Sequence, residues 1–371
     1  MIEKYYDGAI EQVAAGLGTV EKNHLLVRYS GQFSVENLND TKQLEKNEDI
    51  FVQVHEFETG EITCAYEPYL TMICDGFRRY MTGTFEEFME TCDVYYLHRP
   101  VLLGYFNQDN TGREEIILLD EVAYEQERML AALERMLCAI ADRHPVLFVL
   151  NRFQLASKST MQLTARFLKC ENCNIGLVLG VSDIQAMPEF LVPDWEMLYE
   201  TLDDGSKIYH IGNSGRKKEE TIDDEKYVDY GSEKVYRKLQ NMVEFLDFDQ
   251  AAYYLETIER KIKFDNLLVD DAARFRMWLL FVKVSILRQD IPKALEICED
   301  LEKIHLAGKE EECAYEQDYL IATAYMYQGK LKEALEMAGE TYRIAGKMSD
   351  DYRMFLSELL EAKIQMSGWY N

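Results

Sequence analysis

The spacing of apolar positions changes character near residue 230. Before that point, short apolar runs alternate with amphipathic stretches, and after it only helical spacing remains. Five segments read as strands: residues 24–29 (HLLVRY), 49–57 (DIFVQVHEF), 146–150 (VLFVL), 173–182 (CNIGLVLGVS) and 207–212 (KIYHIG). The third, five apolar residues in a row, suits a strand covered on both faces of a parallel sheet. Helical spacing is predicted over 3–17, then over AYEPYLTMICDGFRRYM with Tyr69, Met72, Ile73 and Phe77 on one face, and over a short stretch holding Phe88 and Met89. A long helix over 121–143 buries Leu130, Leu133, Met136, Leu137 and Ile140. After residue 150 a polar break intervenes, and Ser157 or Ser159 caps a helix carrying Met161, Leu163, Phe167 and Leu168. Residues 93–119 hold two further apolar stretches, VYYLHRPVLLGYF and EEIILL. Asp120 and Glu121 follow the second but run straight into the long helix. The alternation predicts an α/β, three-layer domain with a mostly parallel sheet over 1–215, a charged linker over 216–232, and an all-α domain over 233–371.

The C-terminal part repeats itself. FLDFDQAAYYLETIER, LRQDIPKALEICEDLEK and YQGKLKEALEMAGETYR overlay with Ala251, Ala294 and Ala334 in register, at spacings of 43 and 40 residues. The last unit has Ala322, Tyr325, Gly329, Ala334 and Ala338 in a small-x2-aromatic-x3-glycine-x4-alanine pattern, where small residues let two helices approach closely. Gln289 stands at the glycine position of the middle unit, and the first unit keeps only the alanine. The pattern resembles a tetratricopeptide array with units somewhat longer than usual. It predicts about seven helices, residues 352–366 forming a terminal lid, and a concave groove for a protein or peptide partner. Tyr253, Trp278, Tyr315, Tyr319 and Tyr342 are the groove candidates.

The stretch HPVLFVLNRFQLASKSTMQLTARFL, together with the helix before it and the AYEPY segment, resembles the ATPase domain of STAND signalling proteins, AAA+-related regulators of bacterial signalling type that carry helical-repeat sensors. The resemblance implies a P-loop-NTPase-like fold in which the first strand leads to a glycine-rich phosphate loop. The strand of the VLFVL stretch would end in acidic residues that hold magnesium and polarise water, and the next strand would end in a polar sensor. Here the first loop is YSGQFSVENLNDTK, with Gly31 as its one glycine, Gln32 beside it and no Gly-Lys-Ser/Thr. Asn151 and Arg152 stand at the acidic places, and Ser182 and Asp183 at the sensor. Phosphoryl transfer needs charge neutralisation that these residues do not supply, so the expectation is a pseudo-ATPase with no catalytic residues, no metal and no cofactor. A nucleotide-dependent switch is the alternative, with ATP and magnesium held, and hydrolysed weakly or not at all, at a non-standard phosphate site of Gly31, Gln32, Asn151, Arg152 and Ser182, with Arg28, Lys42 or Arg152 supplying charge. STAND proteins regulate an output domain, and this chain has no stretch to spare for one. It is therefore expected to be part of a longer regulator or a stand-alone adaptor.

Charge narrows the partners. Forty basic against 67 acidic residues leave a net charge of −27, a field that repels phosphate backbones and argues against direct nucleic-acid binding. The basic triplet Arg216, Lys217 and Lys218 sits beside Glu219 and Glu220 and reads as a solvated loop. The charged N-terminus does not read as a signal peptide, and no apolar run reaches the ~18 residues of a membrane span. Eight scattered cysteines suit a reducing, cytoplasmic setting. Cys170 and Cys173 form a lone CxxC and His55 lies near Glu56 and Glu58, and neither set amounts to a metal site.

Overall fold

The computed structural model describes residues 2–17, 24–29, 49–58, 61–108, 121–170, 174–182, 187–203, 207–211 and 229–367. The chain forms two compact units: residues 1–116, 123–228 and 244–247 make the first, and residues 117–122, 229–243 and 248–371 the second. The loop positions Gly31, Gln32 and Lys42, the sensor neighbour Asp183, residue Asp120, Cys173, the basic triplet at 216–218 and most of the 216–232 linker lie outside the described residues.

The first unit is built on five strands: β1 (His24–Tyr29), β2 (Phe51–Glu56), β3 (Val146–Asn151), β4 (Ile175–Ser182) and β5 (Lys207–Ile211). They lie in the order β2-β3-β4-β1-β5, and every pairing is parallel. The five-residue apolar run became β3, which is flanked on both sides and fully buried, while β4 takes the middle of the sheet. Parallel neighbours need crossovers, and helices pack on both faces of the sheet, α1 among them although it precedes β1 and crosses nothing. On one face, α1 (Ile2–Gly16) packs Ala9, Ile10 and Val13 against Leu25, Val27, Leu147, Val149 and Val178. Gly176 of β4 permits this approach, since a Cβ there would meet Val13 Cγ1 at 2.6 Å.

On the opposite face the alternate residue Phe148 meets Tyr69 edge to face at 4.7 Å, and Tyr69 in turn meets Phe167 at 5.4 Å. Those rings come from α2 (Tyr69–Tyr80) and α6 (Lys158–Lys169). Between them in the chain lie α3 (Phe85–Thr91), started by a Thr84–Glu87 capping box, α4 (Arg99–Asn107) and α5 (Val122–Ala141). The stripe Leu130, Leu133, Met136, Leu137 and Ile140 of α5 is buried as its spacing predicted. Of the two candidate caps, Ser157 starts α6, its side chain accepting from the Thr160 amide. After β4, α7 (Val192–Asp203) packs beside α6 before the chain returns as edge strand β5.

The second unit is all helical among the described residues: α8 (Glu233–Glu244), α9 (Phe248–Phe264), α10 (Asp271–Leu287), α11 (Ile291–Leu301), α12 (Glu310–Tyr327), α13 (Leu331–Met348) and α14 (Asp351–Ser367). From α9 onward each helix packs on the next, and α10 also meets α12, and α12 meets α14, the connectivity of stacked helical hairpins. Ala251, Ala294 and Ala334 each fall on the fourth residue of their helices, α9, α11 and α13, and all three are 0% exposed. Five residues before each alanine the backbone turns left-handed: Leu246 at φ 66°, Gln289 at 63° and Gly329 at 79°. At the last two turns the same pair of bonds closes the preceding helix, Gln289 N to Ile286 O with Asp290 N to Ser285 O, and Gly329 N to Met326 O with Lys330 N to Tyr325 O. The repeat is therefore a property of the backbone as well as of the alanines.

Candidate functional site

The strand order reverses in the middle of the sheet. β1 leads across β4 and β3 to β2, whereas β4 leads across β1 to β5. Open α/β sheets place ligands beyond the carboxyl ends of strands at such a reversal. Those ends carry Tyr29 on β1, Ser182 on β4, Asn151 on β3 and Glu56 on β2, with Tyr29 paired to Ser182 and Glu56 to Asn151 in register. The strand order thus brings Asn151, Arg152 and Ser182 to the carboxyl ends of two neighbouring strands.

What gathers there is a set of side chains bonded to one another. Tyr29 donates its hydroxyl to Asn151 Oδ1 at 2.7 Å, both groups being almost fully buried. Burial raises the Tyr29 phenol to about 12, against smaller opposing effects from Arg152 and Asn151, so it stays protonated and remains the donor. Arg152 follows in a left-handed conformation at φ 52°, and its Nε lies 3.4 Å from Glu56 Oε1. The next turn, a 3-10 helix over Phe153–Leu155, brings the amide of Gln154 against β4: Nε2 donates to the Ser182 carbonyl at 3.1 Å, and Oε1 accepts from the Ser182 amide at 3.3 Å. Gln154 thus satisfies the backbone where β4 ends. Arg28, one residue before Tyr29, lies 5.9 Å from the centre of the Tyr199 ring.

Sequence reasoning reached Asn151, Arg152 and Ser182 and missed Tyr29, Glu56 and Gln154. Glu56 left a local trace, because it ends the neighbouring strand as Asn151 ends β3. Tyr29 and Gln154 left none, since their partners stand 122 and 28 residues away.

A second polar cluster holds the start of α6. The Ser157 hydroxyl lies 3.0 Å from Ser159 Oγ and 2.9 Å from Thr160 Oγ1. Thr160 donates to the Glu67 carbonyl at 2.9 Å, and the Tyr66 amide donates to Ser159 Oγ at 3.0 Å. The buried carboxylate of Asp247 accepts from the Ser159 amide at 3.1 Å, where a negative charge suits a helix N-terminus. The AYEPY segment is therefore fastened to the cap of the helix that follows β3.

The five aromatic groove candidates separate by burial. Trp278 and Tyr315 are core side chains, each 2% exposed, Trp278 lying edge to face with Phe281 at 6.4 Å and Tyr315 donating to the Arg353 carbonyl at 3.0 Å. Tyr253 and Tyr319 are half-buried, Tyr319 with its ring 6.0 Å from that of Tyr315, and Tyr342 is exposed.

His55 lies 4.5 Å from Phe57, ring to ring, and no group of three His, Cys, Asp or Glu side chains suited to a metal gathers among the described residues. The buried thiols of Cys74 and Cys298 are pushed up to about 12 and that of Cys92 to about 11, chiefly by burial, which keeps them protonated and unreactive. No helix among the described residues is long and apolar enough to cross a membrane. Comparison with protein-family models, with curated proteins and with solved structures found no match to this chain.

Proposed function

We propose that this chain is a non-catalytic interaction module of a regulatory system. In this reading the first unit is a P-loop-NTPase-like frame of STAND type that no longer hydrolyses nucleotide, and the second is a tetratricopeptide-like array that takes a protein or peptide partner. The sheet order supports the first half: β3, β4 and β1 are neighbours, and these correspond to the strands after which STAND ATPases carry the acidic pair, the sensor and the phosphate loop. The observation that carries the loss of chemistry is the end of β3. In ATPases of this kind a strand-end carboxylate helps to hold the magnesium, whereas the Asn151 side-chain oxygen accepts from Tyr29 and the Arg152 charge is matched by Glu56. An attacking water would need an acceptor where a guanidinium stands.

Two measurements test the reading on the full chain. Incubation with magnesium-ATP is expected to release phosphate no faster than buffer, and sustained turnover overturns it. Affinity capture is expected to retain a protein partner that is lost on Tyr253→Ala, Tyr319→Ala or Tyr342→Ala, and retention by all three variants removes the groove from the proposal.

The strand-order reversal favours a second reading, a nucleotide-dependent switch that binds ATP with weak or no hydrolysis. Arg28 and Arg152 would then face the phosphates. Calorimetric titration separates the two: micromolar binding of magnesium-ATP that Arg152→Ala abolishes selects the switch, and absence of heat selects the inert frame.

A further inference from the structure

The last helix of the second unit, α14, is apolar on two sides. Ser357, Leu360 and Ile364 turn inward at 1%, 0% and 0% exposure, Leu360 and Ile364 packing with Ala322, Ala334 and Ala338 and Ser357 accepting from Thr341 Oγ1 at 3.0 Å. On the opposite side Tyr352 is 49% exposed, Phe355 57%, Leu359 38% and Met366 61%, with exposed Ala362 completing the line. Steps of three, four, three and four residues are the a and d positions of a heptad repeat. A helix packed on one side needs a single stripe; a second one at the period of a two-helix seam, running ~22 Å, is what pairing with another helix requires.

The flanks of the stripe say which helix. With Tyr352, Leu359 and Met366 at a, Asp351 and Glu358 fall at g, and Leu356 and Lys363 at e. In a parallel pair of identical helices, a g residue faces the e residue five positions on, so Glu358 would meet Lys363 of the partner subunit, and the two-fold axis supplies the contact twice. In an antiparallel pair g faces g, which sets Glu358 against its own copy.

We propose that α14 pairs in parallel with α14 of a second copy of this chain, with Phe355, Leu359 and Met366 in the shared seam and the Glu358–Lys363 pairs fixing its direction. Two heptads form a small interface, so the dissociation constant is expected on the order of tens of micromolar.

Sedimentation velocity of the full chain tests this over a range from ~1 to ~500 µM, in ~0.15 M salt to screen the repulsion between two chains of net charge −27. The expected result is a monomer–dimer equilibrium. Combined Phe355→Glu and Leu359→Glu is expected to weaken it by at least ~100-fold without lowering the melting temperature, because both side chains face solvent in the single copy. Glu358→Gln is expected to weaken it by roughly threefold, and Lys363→Glu by more, with Glu358→Lys added to Lys363→Glu recovering the loss. A monomer throughout, as when another protein or a different segment covers the stripe, overturns the proposal. So does a dimer indifferent to Leu359→Glu, or one that Glu358→Gln tightens, the mark of antiparallel pairing. Should the double glutamate variant fail to fold, the two charge-reversed forms and Glu358→Gln decide alone.

Discussion

The two units keep their polar groups satisfied by opposite means. In the sheet unit the bonds that define the strand ends and the α6 cap join residues far apart in the chain: Tyr29 and Asn151 are separated by 122 positions, Tyr66 and Ser159 by 93, and Ser159 and Asp247 by 88. In the helical unit the hairpin turns are closed by backbone bonds within five residues, and the same left-handed turn recurs before α9, α11 and α13. Lys263 bonds Glu259 one helical turn away, and Lys293 reaches the same carboxylate from α11, two helices further along the chain. A site assembled from distant residues can lose its chemistry through one or two substitutions and leave the surrounding pattern intact. A repeat has no such privileged place, because each unit supports only its neighbours.

The sharpest way to break the contrast is to strike the sheet core. Phe148 is fully buried on β3 and meets Tyr69 at 4.7 Å. Phe148→Ala is expected to cost about 3–5 kcal/mol, through lost burial and the cavity left behind. Urea unfolding followed by tryptophan fluorescence reads the loss, and a cost near 1 kcal/mol or less would mean that the β3 face is not the core it is taken to be. Tyr29→Phe probes the strand ends themselves. It removes the donor to Asn151 and is expected to cost about 1–2 kcal/mol, less than a core cavity because only one hydrogen bond goes.

The same contrast explains what was legible in the sequence. Strands β1, β3 and β4 were readable because they are buried apolar runs, and strands covered on both faces show little else. The helices of the second unit were readable because Ala251, Ala294 and Ala334 repeat a local packing requirement. At the candidate site, Asn151 and Arg152 were visible as residues standing where acids were expected. Their partners were not, since Tyr29 and Glu56 reach them only through the strand order, which no local period encodes. The groove aromatics divided for a related reason: helical spacing places Trp278 and Tyr315 on helices but does not say how many helices cover them.

A titrating group in the helical unit sharpens the comparison further. Burial, with smaller contributions from Glu340 and Glu302, raises the Asp318 carboxyl from 3.8 to about 6. The folded chain therefore binds this proton more tightly than the unfolded one. The resulting stabilisation is complete below pH ~4 and is lost as pH rises through about 6. At neutral pH the charged carboxylate opposes folding, so Asp318→Asn is expected to stabilise by about 1–2 kcal/mol at pH 7 and by nearly nothing at pH 4. Melting temperatures of both forms across that interval check it. An equal gain at both values would show that the effect comes from packing and not from charge.

The smallest effect isolates the repeat turn. Gln289 and Gly329 occupy the same left-handed place, at φ 63° and 79°, ahead of α11 and α13. Gln289 is exposed, so its side chain adds little packing to offset the strain, and a Cβ at Gly329 would meet nothing within 4 Å. Backbone conformation is then what separates the two residues at these sites, and an L residue there costs about 1 kcal/mol relative to glycine. Gln289→Gly should therefore stabilise by up to that amount, reduced by the extra freedom glycine gives the unfolded chain, and Gly329→Ala should destabilise by about 1 kcal/mol. Opposite signs at equivalent places in two units, read as shifts in the urea midpoint at constant slope, would establish that one turn geometry closes both hairpins. Shifts of the same sign would mean that the resemblance between the units stops at the alanines.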